Sequence, residues 1–337
     1  MHSTTNNFCL KGRIWAIAGG VGLIGSALLW LNWPWWSQSH YLTVTEAQLR
    51  AAVADGSFAI QSAGIVYTFG DSEYNLDTSQ VTDMSSLFYA PQAREFNEDI
   101  GYWDLSNVTD TSWMFRSATA FNQPIGRWDL SNVRDMRGMF FDARSFNQPI
   151  GRWNLAKVTD MSEMFTFAER FNQPLARWRV SEVTTMNGMF ARAAAFNQPI
   201  GRWDVSNVTD MINMFGNATS FNQPIGGWDV SGVRKMVYMF EGARSFNQPL
   251  GDWNVANVYN MAQMFARAAS FNQPIGQWQV SQVRNMDSMF DGADAFYQDL
   301  SRWNLPEIFR QPSHFVRQDY PMEWRPSWGN ELSPTTY

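Results

Sequence analysis

The stretch FNQPIGRWDVSNVTDMINMF, Phe196 to Phe215, decides how this chain is read. Its amide pair, Pro, Gly, Arg, Trp and Asp could all furnish a site. Yet its first ten residues recur, with one to three changes, at Phe121, Phe146, Phe171, Phe221, Phe246 and Phe271. A catalytic site is needed once, so recurrence at a fixed period points to architecture. From Phe96 to Phe296 the period is 25 residues without an insertion. Trp follows each Phe, from Trp103 to Trp303, with Ile or Leu between them. Val108, Val133 and their equivalents come next, then two Met columns in which Thr111 is the gap, then Phe and Ala. Val81, Met84, Leu87 and Phe88 match the second half of a unit, but 27 residues separate them from the next copy.

Each unit reads as two halves. In NVTDMINMFGNA the apolar positions Val208, Met211, Met214, Phe215 and Ala218 have helical spacing. Ser206 is placed to cap that helix and Asp210 to face the positive end of its dipole. The FNQPIGRWDV half holds too much Pro and Gly for a helix and is expected to be extended, in a strand kept short by its Pro. A 25-residue unit cannot bury these large side chains alone, whereas stacked copies can, each column packing on itself. The end units differ: the Pro column becomes Asp99 in the first and Asp299 in the last.

The expected organisation is a repeat array over 74–305, preceded by a cap over 37–73 with a helix at 44–55, and followed by a C-terminal cap and tail, 306–337. Upstream, IWAIAGGVGLIGSALLWL (Ile14 to Leu31) carries no charge, follows Lys11 and Arg13, and runs into Trp33, Trp35 and Trp36. About 20 apolar residues span a bilayer, basic residues mark the inner side, and Trp gathers at the interface. Residues 14–36 are therefore expected to be a transmembrane signal-anchor, with 1–13 a cytoplasmic tail and the repeats on the cell surface or in an extracytoplasmic space. The alternative is a secreted chain, cut after Gly25-Ser26-Ala27.

A formal charge of −6 argues against a nucleic-acid partner. The repeats contain no His, and Cys9 is the only cysteine, which leaves no metal cluster or thiol–imidazole pair in the array. No cofactor and no catalysis are expected. The Asp columns, such as Asp110, Asp135, Asp160 and Asp210, read as turn and cap residues rather than calcium ligands. The Asn column, Asn122 to Asn272, is expected to form an amide ladder that satisfies turn backbone. Sequons at Asn107, Asn207 and Asn217 read as accidents of the repeat. Function should lie where copies differ. The position before Trp holds Tyr102, Arg127, Arg152, Arg177, Arg202, Gly227, Asp252, Gln277 and Arg302. Its arginines could form a ridge for an anionic partner. Alternatively, each could pair with an Asp and cover a Trp with its stem.

The unit FNQPIGRWDVSNVTDMINMF resembles the bacterial surface protein 26-residue repeat of BspA-like leucine-rich-repeat surface proteins and of Mycoplasma lipoprotein-associated repeats, over about residues 74–310. The resemblance implies an α/β repeat solenoid, leucine-rich-repeat-like, with one short extended segment and one short helix per 25-residue coil, here preceded by a transmembrane helix. It also implies a surface-displayed scaffold for adhesion or for binding an unknown protein or glycan, without shared catalytic residues. The alternative is a purely structural or self-assembling component of the cell envelope.

Overall fold

In the repeats, the chain turns rather than coils or extends. The structure is a computed structural model that describes residues 41–71 and 75–329, all within one compact unit. In the coil after Val205, amides donate to carbonyls three residues back: Val208 to Val205 at 2.9 Å, Met214 to Met211 at 3.3 Å, Ala218 to Phe215 at 3.0 Å and Phe221 to Ala218 at 3.1 Å. Between these turns, the amides of Met211, Asn213 and Phe215 donate to Lys235, Val237 and Met239 of the next copy, at 3.2, 2.8 and 2.9 Å. From Asn213 to Ala218, amides thus alternate between bonding along the stack and closing turns.

The helix expected over Val208–Ala218 is therefore absent. Among the described residues the one α-helix lies outside the repeats. The cause is local. Asn213 and Asn217 both have φ of 57°, as do their equivalents within a few degrees, among them Glu163, Phe167 and Tyr238. A left-handed residue every fourth position cannot propagate a right-handed helix. The apolar stripe is real but has another origin: the buried residues occupy the first and fourth places of successive β-turns, a spacing that also suits a helix. Nor is FNQPIGRWDV a strand. Extended pairing is confined to one residue per copy in the other half, a parallel bridge from Asp83 to Asp110, Asp135, Asp160, Thr185, Asp210, Lys235, Asn260 and Asn285. The first step spans 27 residues, and the extra two fall beside the 3₁₀ turn at Pro91–Glu95.

Stacking buries each column on its own copies. Phe196, Ile200, Trp203, Val205, Val208, Met211, Met214, Phe215 and Ala218 are all buried, as are their counterparts. Phe rings stack nearly parallel, 4.0 Å apart for Phe165, at the end of one copy, and Phe171, which opens the next. Between copies, centroids stand 5.6 Å apart for Phe140 and Phe165, 5.9 Å for Phe146 and Phe171, and 6.3 Å for Trp153 and Trp178. The copies are thus more widely spaced at the Trp column than at the first Phe column.

Two side-chain ladders reinforce the stack. Asn197 Oδ1 accepts from the amide of Asn222 at 3.0 Å, and Asn172 Oδ1 from that of Asn197 at 2.9 Å, so the amide ladder is present. Each indole nitrogen from Trp128 to Trp303 donates to the Ile or Leu carbonyl of the previous copy; Trp203 reaches Leu175 at 3.1 Å. At Thr111, the gap in the Met column, the buried hydroxyl donates to the Asp135 carbonyl at 3.3 Å.

Irregular elements cover the two ends. Upstream lie β1 (Tyr41–Thr43), α1 (Glu46–Ala54), β2 (Ala59–Ser62), β3 (Ile65–Thr68) and β4 (Asn75–Asp77). Thr45 and Gln48 close a capping box on α1, whose Leu49, Ala52 and Val53 are buried. β1 pairs parallel with β4, and β2 antiparallel with β3. Downstream, β5 (Asn304–Leu305) pairs with β6 (Ser327–Trp328), and Phe315, Tyr320 and Trp328 are buried. The proposed tail and anchor, residues 1–36, and the last residues, 330–337, lie outside the described part. Among the described residues no helix is long and apolar enough to cross a membrane.

Candidate functional site

A groove of about 1040 Å³ runs across the first copies, and its wall contains Arg127, Arg152 and Arg177. The repeat itself builds it. Ile125 and Trp128 point into the core, which leaves Gly126 and Arg127 between them on the outside. Gly126 and Gly151 form the floor. A Cβ on either would stand 2.2 or 2.3 Å from the carbonyl oxygen of Pro149 or Pro174, so a side chain there would collide with the next copy. The exposed rings of Pro124, Pro149 and Pro174 make the opposite rim. Ala176 replaces the glycine at the far end.

The near end is built by Gly70 and Asn75 together with Asp99, Gly101 and Tyr102 of the first full copy. The Tyr102 hydroxyl donates to the Phe69 carbonyl at 2.9 Å, and burial pushes its acidity down, raising the pKa. Asp99 stands where later copies have Pro and accepts from the Gly101 amide at 2.9 Å. The side-chain oxygen of Asn75 is buried without a hydrogen-bond partner.

The arginines of the groove are exposed, and none forms a hydrogen bond or ion pair among the described residues. Pairing of each with an Asp column, one of the two readings of the sequence, is not what the structure has. Some cations elsewhere are paired: Arg137 with Asp135 at 2.9 Å, Arg144 with Asp142 at 2.7 Å, Lys235 with Asp210 at 3.6 Å. Arg202 continues the column but does not line the groove, and Arg302 is separated from it by Gly227, Asp252 and Gln277.

Comparison with known proteins recognises the repeat rather than the groove. The family described as Mycoplasma protein of unknown function, DUF285, matches in three tandem segments, residues 63–176, 147–244 and 225–320. The chain belongs to this family. No curated protein matches it.

In this DUF285 chain the recurring carboxylates serve turns. Asp129, Asp204 and Asp229 accept from the amides of Ser131, Ser206 and Ser231, at 3.0, 3.2 and 3.0 Å. Hydrogen bonds from those serines, hydroxyl first and amide second, lower the pKa of all three. Asp110 and Asp160 accept likewise from Ser112 and Ser162, both at 2.8 Å. The sequon side chains are engaged too: Asn107 and Asn207 donate to Ser79 and Ser181 carbonyls, and Asn217 to Glu241.

Two further surface features were not singled out from the sequence. A smaller recess of about 470 Å³ lies between Arg234, Tyr259 and Arg284. On the turn ladder, the Arg116 guanidinium lies 4.4 Å from the Tyr89 ring, 5.1 Å from Trp113 and 5.3 Å from Phe141. Both fall in columns where the copies differ, which was the available signal. Gly70 and Asn75 of the end wall had no such signal, because they precede the first full copy.

Proposed function

We propose that this chain is a surface-displayed binding protein whose repeats form a leucine-rich-repeat-like solenoid of the BspA-like kind, and that the solenoid takes an anionic partner, a protein or a glycan, along Arg127, Arg152 and Arg177. The observation that carries this reading is three exposed guanidinium groups without a carboxylate partner, side by side on one groove, in a chain of formal charge −6. Such groups retain their full attraction for an external anion. The copy-to-copy constant residues are committed to the core, the ladders or the proline and glycine turns, so the proposal includes no catalytic step. The uncharged stretch Ile14 to Leu31 behind Lys11 and Arg13 supports a single-pass anchor with the repeats outside.

Two measurements test this. Protease shaving of intact cells should remove the repeats, whereas full protection would refute display. Retention of the full-length chain on an immobilised polyanion should fall with added salt. It should also fall on joint Arg127→Gln, Arg152→Gln and Arg177→Gln substitution. Unchanged retention would refute the groove as the site.

A further inference from the structure

The pitch and lining of the groove identify the form of its occupant, given that the groove binds an anion at all. We infer that the partner is an extended peptide segment with acidic side chains at alternate positions. One arginine emerges per copy, each beside the Trp that follows it. Neighbouring Trp centroids stand 6.3 Å apart at Trp153 and Trp178, and 6.2 Å apart at Trp178 and Trp203. A β-strand advances about 3.3 Å per residue and turns alternate side chains to one face, so acids two residues apart repeat every ~6.6 Å. Two successive acids of that kind meet Arg152 and Arg177 in register, small side-chain movements absorb the remaining mismatch, and a third acid continues towards Arg127.

The lining separates this partner from other polyanions. Single-stranded nucleic acid needs aromatic platforms for its bases. A sugar chain needs neutral donors and acceptors for its hydroxyls. Along the arginines, the groove offers neither: its other surfaces are proline rings, glycine backbone and Ala176, and the polar neutral side chains Asn75 and Tyr102 stand only at the near end. A flat glycine floor and proline rim suit the narrow ribbon of an extended peptide. The near end also carries Asp99, so the acidic side chains of the occupant lie away from it, over the arginines.

The test uses the full-length chain in detergent and fluorescence anisotropy at low salt. Two labelled peptides share one composition: in one, Glu alternates with Thr; in the other, the Glu residues form a block. An oligogalacturonate and an oligothymidylate compete. The alternating peptide should bind about tenfold more tightly than the block peptide. Arg152→Gln should reduce its affinity about tenfold, while Arg310→Gln, outside the groove, should leave it unchanged. Equal affinity for the two peptides overturns the inference, as does stronger binding of the uronate or the oligonucleotide. If Arg152→Gln still weakens binding in those cases, the anion-binding groove survives without its peptide. If no anion binds, both fall.

Discussion

Replacing Trp203 by Phe separates the two ways in which the Trp column holds the stack. Trp203 is 4% exposed, stacks on Trp178 at 6.2 Å and on Phe190 at 6.3 Å, and donates to the Leu175 carbonyl at 3.1 Å. That carbonyl also accepts from the Trp178 amide, at 3.0 Å, so it keeps one partner when the indole goes. The lost hydrogen bond costs about 1 kcal/mol. The lost ring atoms and the space they leave cost about 1–2 kcal/mol more. The sum is about 2–3 kcal/mol, against about 3–5 kcal/mol for Trp203→Ala. Trp103→Phe is the internal control. Trp103 is as buried and packs on Phe69 and Phe88, but its indole nitrogen finds no acceptor. Its replacement should cost about 1 kcal/mol less, the value of the missing hydrogen bond. Urea unfolding followed by circular dichroism, at matched slopes, measures both. Equal costs for the two substitutions would refute the ladder as a source of stability, and a Trp203→Ala variant as stable as the parent would refute the core assignment itself.

Other parts of the stack make separate expectations. Asn197→Ala removes the acceptor for both the Asn222 amide and the Gln223 side chain, and should cost about 1–3 kcal/mol in urea unfolding. Asn197→Asp, which keeps an acceptor, should cost less. Hydrogen bonds from serine hydroxyls and amides hold the pKa values of Asp129, Asp204 and Asp229 below the ordinary carboxylate range. A depressed folded-state pKa stabilises above the unfolded value of ~3.9, and that stabilisation is lost as pH falls through the folded value. The urea midpoint should therefore hold from neutral pH down to about pH 5 and fall below about pH 4. Joint replacement of Ser131, Ser206 and Ser231 by Ala, which keeps the amide bonds and removes the hydroxyl ones, should shrink that fall; an unchanged slope would remove the serine hydroxyls from the acid response.

The sequence disclosed what repeats, and hid what repetition does to the backbone. The 25-residue period, the core columns and the Asn ladder are legible because stacking demands identity at each buried position. The second half of the unit misled because corner pairs of β-turns, such as Met211 with Met214 and Phe215 with Ala218, share the three-residue spacing of a helix. A contrary signal was available. Gly138, Gly188, Asn213, Asn217, Gly242 and Gly292 fall in the two columns of positive φ, which Gly and Asn tolerate best. It was diluted by Trp113, Glu163 and Phe167 in the same columns, held left-handed by bonds to the next copy. The arginine column could be read from the sequence, but its division could not. Arg127, Arg152 and Arg177 share a groove because Gly70, Asn75, Asp99, Gly101 and Tyr102 close its near end, while Arg202 and Arg302 lie beyond it.

Arginine footprinting tests the central claim, that the repeats are scaffold and these three arginines are the recognition surface. The full-length chain is treated with phenylglyoxal, with and without polyglutamate, and each modified residue is located by mass spectrometry. Without the polymer, Arg127, Arg152 and Arg177 should react readily and Arg137, held by Asp135, more slowly. With it, those three should be protected together while Arg302 and Arg310 stay reactive. Uniform protection of all exposed arginines, or none in the groove, would contradict the account.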